Sequence, residues 1–203
     1  GCGLGLPGFV SHLLGAEAVL LTDRPRIVNL VREAIAGDEG LRAAAALPAH
    51  LGSGAAAASN SGSIPALAAL PFSWDETAAA ALLNQELGGR APSVILACDC
   101  IFAPLFGESF LLLRMLLALA ALPAAPAPLV PPTAPSDDTP LSRPPNGTLP
   151  PGPPDGTLVL LSLERRPGDG ADAFFAQAAR AGFETTVARR EGRVLICEMV
   201  RRQ

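Results

Sequence analysis

The sequence contains no lysine and no tyrosine, a single tryptophan (Trp74) and two histidines (His12 and His50). Without a Tyr–Lys pair or a well-placed histidine, there is no acid where nicotinamide hydride chemistry would need one. Two histidines make a zinc centre hard to assemble, and the four cysteines (Cys2, Cys98, Cys100, Cys197) contain no C-x-x-C pair. They read as reduced thiols in a reducing compartment. An excess of positive charge is also missing. A net charge of -4 and a pI near 5.2 argue against a basic face for nucleic-acid phosphates. Long apolar runs are scarce. The most apolar, Phe110 to Leu122, is interrupted by Arg114 and is too short to span a bilayer. There is no signal-peptide pattern and no initiator Met, so the expectation is a soluble, cytoplasmic protein whose true N-terminus lies upstream.

What is present is a chain of 203 residues, enough for one domain with a real core. Pro7 to Leu14 reads as a helix behind a glycine turn, with Gly15 as its stop. Glu17 to Thr22 is a short apolar run closed by Asp23, as expected of a buried parallel strand. Pro25 opens a second helix, with Ile27, Leu30, Val31, Ala34 and Ile35 as its apolar stripe. Residues 40–63 dissolve into Ala, Gly and Ser and are expected to be a weakly ordered insertion, with a helix extension over Leu41 to Leu47.

Strand pattern returns at Ala66 to Phe72, helix at Glu76 to Leu87, and the most convincing buried strand at Ser93 to Cys98, closed by Asp99. A helix is expected over Pro104 to Leu122. Residues 123–156 are a proline-dense insertion in which no core can form. A strand at Thr157 to Leu163 and a helix at Ala171 to Ala181 follow. Phe183 to Ala188 and Val194 to Val200 then form an antiparallel hairpin. The alternation implies an α/β, Rossmann-like sheet, mostly parallel, with helices on both faces. Its glycine turn should be fed by a first strand lying before Gly1.

The chemistry-bearing residues begin with that turn. Gly1-Cys2-Gly3-Leu4-Gly5 lets backbone approach a ligand, with a helix N-terminus behind it. Gly3 to Gly8 also matches GxGxxG. Asp23 is placed for ribose hydroxyls, which suits NAD and S-adenosylmethionine alike.

The whole-chain series GCGLGLPG, VLLTD, LPFSWDE, VILACDCIF, LVLLSLERR and AGFE resembles methyltransferase family 16. These are seven-strand, class I protein lysine methyltransferases with a glycine turn, an LTD strand end, a late LxW and an Asp-x-x-Tyr strand end. The resemblance covers most of the chain outside the two insertions, and the C-terminal hairpin suits the same fold. It implies a single domain over residues 1–203, S-adenosyl-L-methionine as cofactor, a protein substrate carrying a lysine, and no metal. Gly1, Cys2 and Gly3 would lie against the methionine and ribose, Asp23 on the ribose hydroxyls, Trp74 near the adenine, and Cys98 against the cofactor. Asp99 would orient the substrate ammonium and Phe102 would wall the pocket. Phe102 departs from the family pattern: the ring is kept and the tyrosine hydroxyl is lost. Glu164-Arg165-Arg166 matches the family's ERR, with a structural or substrate-rim role. Two alternatives stand beside this reading, a catalytically weak relative that binds cofactor or partner, and an NAD-dependent oxidoreductase.

Overall fold

The computed structural model describes residues 2–46, 66–87, 89–107, 110–120 and 156–202. Gly1, His50, most of the alanine-rich stretch and the proline tract lie outside the described residues, as does Ala44's side chain.

Helix α1 (Leu6–Leu13) follows the glycine turn and leads to strand β1 (Val19–Asp23). Helix α2 (Pro25–Gly37) starts with proline at its first position, where a backbone donor is not needed. It buries Val28, Val31 and Ile35, with Ile27 packed against the same core, so three positions of the expected stripe face inward and Val28 joins them. Leu30 is half exposed and Ala34 is exposed, because a two-stranded sheet covers a narrower strip of the helix than a wide one. The helix expected over Leu41 to Leu47 is present as a separate helix α3 (Glu39–Ala46), divided from α2 at Asp38 and packed against α2 and strand β2 (Leu67–Pro71).

Helix α4 (Glu76–Glu86) is capped by Asp75, whose Oδ1 accepts the Ala78 N–H at 2.7 Å. Strand β3 (Val94–Cys98) leads to the short helix α5 (Ala103–Phe106). The single helix expected from Pro104 is divided. Gly107 turns to φ 72 after α5, and helix α6 (Phe110–Leu119) follows. Strand β4 (Leu158–Glu164), helix α7 (Ala171–Arg180) and strands β5 (Phe183–Glu191) and β6 (Val194–Arg201) complete the described chain. The hairpin turn is shorter than expected. Strand β5 continues to Glu191, and Gly192, at φ 58, with Arg193 makes the reversal.

The strands form a mixed α/β arrangement in two pieces. β1 and β2 are a parallel pair, and the larger sheet runs β3-β4-β6-β5. Within it β3 and β4 are parallel, while β6 is antiparallel to both β4 and β5. Parallel and antiparallel ladders are therefore equal in number among the described residues, where a mostly parallel sheet was expected. The C-terminal hairpin inserts its second strand beside β4 and so contributes both antiparallel ladders.

Two groups of buried side chains follow the two sheets. Val28, Val31 and Ile35 of α2 close over Leu21 and Leu67 of the small one. In the large one, Val159, Leu161 and Leu163 alternate along β4 against Leu112 and Leu116 of α6 and Phe174 of α7. β3 is less buried than its sequence suggests. Ala97 is enclosed, but Val94 and Leu96 are exposed. Val94, Leu96 and Cys98 alternate onto one face of β3, and among the described residues that face lacks the cover a central parallel strand has on both sides. No helix among the described residues is long and apolar enough to cross a membrane.

Candidate functional site

The glycine turn is built by backbone. Cys2 N–H donates to Thr22 O at 2.7 Å and Gly5 N–H to Cys2 O at 2.9 Å, which folds the turn against the end of β1. Gly3 and Gly5 have φ of 54 and 85, a region that side chains disfavour. A Cβ on Gly3 would meet nothing within 4 Å among the described residues, which leave this face of the turn open. Gly8 has a different role. A Cβ there would collide with Leu21 Cδ2, so Gly8 lets α1 lie close on β1.

Asp23 is brought to this turn. Its Oδ2 accepts the Gly3 N–H at 2.9 Å and its Oδ1 the Arg24 N–H at 2.7 Å. A carboxylate has about four lone-pair sites, so two remain for hydroxyl donors. The Cys2 thiol is half buried. Burial, then the nearby Asp23 carboxylate, push its pKa up, and burial does the same for Cys100. Both stay protonated near neutral pH, which suits packing rather than nucleophilic chemistry.

Trp74 is half-buried and leans on Phe106, ring centroids 5.7 Å apart at 54°. Phe72 and Trp74 pack on the large core from the end of β2. With Thr22 and Cys100 they line one side of a gap of about 60 Å³ that is otherwise walled by β3, Leu82 of α4 and Leu112 and Met115 of α6. Phe106, Thr22 and Cys100 were not singled out from the sequence, because only the juxtaposition of the two sheet ends brings them to Trp74.

The third group lies at the ends of β3 and β4. These strands are parallel with Cys98 opposite Ser162, so Asp99 and the Glu164-Arg165-Arg166 run leave the sheet at the same end. Cys98 is exposed there, and its carbonyl accepts the Cys100 thiol at 3.3 Å. Asp99 has φ 49, the one non-glycine residue in the left-handed region among those described, a conformation acidic side chains tolerate better than most. Its carboxylate is paired: Arg166 Nη2 donates to Asp99 Oδ2 at 3.1 Å and to Glu164 Oε2 at 2.8 Å. The Arg166 guanidinium also lies over the Phe102 ring, 5.1 Å from its centroid. The Glu164 hydrogen bonds, then Asp99, raise the pKa of this guanidinium. The neighbouring Arg165 bridges Asp169 and Asp172 at 2.9 and 3.0 Å and anchors the start of α7.

The structure thus joins Gly3 to Asp23, and Asp99 to Phe102 through Arg166, while Trp74 borders the gap beside Cys100. Gly1 lies outside the described residues. Arg166 is the site residue whose position sequence reasoning undervalued. Its signal was an arginine just past a strand parallel to the one that ends in Asp99. No group of His, Cys, Asp and Glu among the described residues is arranged to hold a metal ion. Neither a protein-family model nor a curated protein sequence matches this chain.

Proposed function

We propose that the protein is an S-adenosylmethionine-dependent methyltransferase of the protein-lysine class, built on a Rossmann-like sheet. The observation that carries this reading is the glycine turn folded onto the carboxylate at the end of β1, with Gly3 open to a ligand and Gly3 N–H on Asp23 Oδ2. Ligands of open α/β sheets sit outside the carboxyl ends of the strands, where Asp23, Trp74, Asp99 and Arg166 all leave their strands or the loops beyond.

The residues present fit the cofactor. Gly3, Cys2 and Asp23 would hold the methionine and ribose, and Trp74 would lie near the adenine. When bound, the cofactor supplies a sulfonium-linked methyl group to a neutral nucleophile. A lysine amine with a pKa near 10.4 costs roughly 4–5 kcal/mol to deprotonate at pH 7. Asp99 would hold and orient the incoming ammonium, and the Phe102 ring would wall its path. Phe102 offers no hydroxyl, and Arg166 already engages both residues. That favours a second reading, a relative that binds the cofactor with weak turnover.

Calorimetric titration of the intact protein with S-adenosylmethionine, S-adenosylhomocysteine and NAD separates the readings. Binding of the sulfur nucleosides and not of NAD is expected, and Asp23→Ala should weaken it about tenfold through loss of charge-assisted hydrogen bonds. Absence of sulfur-nucleoside binding would sink both the methyltransferase and the weak-relative readings. Binding without methylation of any lysate protein would support the second.

A further inference from the structure

Asp99 and Phe102 present a carboxylate and an aromatic face, the pair of partners that recognises an organic cation. In this structure both are in use. One guanidinium, Arg166, reaches Asp99 Oδ2 at 3.1 Å and covers the Phe102 ring at 5.1 Å. Its attachments are unequal. Glu164 Oε2 accepts from both Nη2 at 2.8 Å and Nε at 3.1 Å, whereas Asp99 accepts from Nη2 alone. Arg166 can therefore release Asp99 and still be held by Glu164. The seat is open to water, with the Asp99 side chain 50% exposed and that of Arg166 33%, so the contact released is a weak one. Asp99 itself is fixed, because its N–H donates to Ser162 O at 2.7 Å and ties it to β4.

We propose that Arg166 is a resident cation occupying the seat of the substrate ammonium, so that Asp99 and Phe102 exchange its guanidinium for a primary alkylammonium from outside. The inference rests on reading Asp99 as the substrate-orienting residue, and makes Arg166 a positioning residue that tunes access to it. The chain has no lysine, so no ammonium side chain of its own competes for the seat.

The test uses the intact protein and n-butylammonium as the probe, followed by amide chemical shifts of residues 99–102. Arg166→Ala should bind the probe about tenfold more tightly than the wild type, from removal of one exposed ion pair and one cation–π competitor. Arg166→Lys, which restores a resident cation, should return to near wild-type affinity. The added change Asp99→Asn should abolish the gain. Arg166→Met keeps the apolar stem and serves if the alanine variant folds poorly. Equal affinity in the wild type and a folded Arg166→Ala or Arg166→Met variant overturns the proposal. So does a gain that survives Asp99→Asn, which would reflect net charge alone. The probe carries no nucleoside, so the two readings fail separately. A tightened seat in a protein that binds no sulfur nucleoside keeps the exchange and discards the methyltransferase.

Discussion

The two halves of the molecule differ in how much side chain stands behind them. Among the described residues the small sheet has two five-residue strands and seven buried residues in its core, while the large sheet has four strands and twenty. That disparity decides where the chain opens first, since local stability follows buried apolar contact. The glycine turn belongs to the thin half. It contributes mainly backbone, with the half-buried Cys2 packed against the small core, and Leu4 and Leu6 beside it are largely exposed. Asp99, Phe102 and Arg166 belong to the thick half. A ligand bridging the turn and the β3 end would thus tie a soft element to a firm one, and would stabilise the soft element more.

Three perturbations break or sharpen that contrast. The largest effect is expected from Phe174→Ala, because Phe174 is 1% exposed in the main core. It should lower global stability by about 3–5 kcal/mol in urea unfolding; a loss under about 1 would mean that α7 is not part of the firm half. Next is Asp169→Asn at the start of α7. Burial opposes the charge of Asp169, but the N–H groups of Ala171 and Arg166 and the Arg165 guanidinium outweigh it and hold the carboxyl below its usual range. A depressed folded pKa adds stability that is complete above the unfolded value, 3.8, and is lost as pH falls through the folded one. The variant should therefore be about 1–3 kcal/mol less stable at neutral pH, with the gap narrowing in acid. A gap independent of pH down to the acid limb would contradict this account. The smallest and most local effect is expected from Gly8→Ala, which presses a methyl into Leu21. It should cost about 1–2 kcal/mol, read as faster hydrogen exchange in β1 and β2 with β4 and β6 little changed. Equal acceleration in both sheets would show that the halves unfold together and that the contrast has no dynamic meaning.

Much of this was legible in the residues. Pro25 with the apolar positions of α2 announces a helix, and the alternating Val159, Leu161 and Leu163 announce a strand. Both follow from Cβ directions, which are local geometry. Gly3 and Asp23 were each legible as candidates for one ligand site, but the hydrogen bond from Gly3 N–H to Asp23 Oδ2 that joins them is seen only in the structure. Less was legible where burial depends on what lies alongside. β3 reads as a central strand, yet its Val94 and Leu96 are exposed, because a strand's own residues do not reveal which of its faces are covered. In α2, Ile27, Val31 and Ile35 face the core as read, while Leu30 and Ala34 do not, for the same reason.

Helix and strand identities, the stop at Gly182 and the open glycine turn follow from the chain locally, since φ preference and side-chain period act over a few residues. The division of the described strands into two sheets, the insertion of β6 beside β4 and the partner of Asp99 do not. Those were decided by which distant segments pair. Once β3 and β4 run parallel with Cys98 opposite Ser162, Arg166 arrives at Asp99 and Phe102. A charge so placed finds its partner by tertiary register, which no local pattern in the sequence encodes.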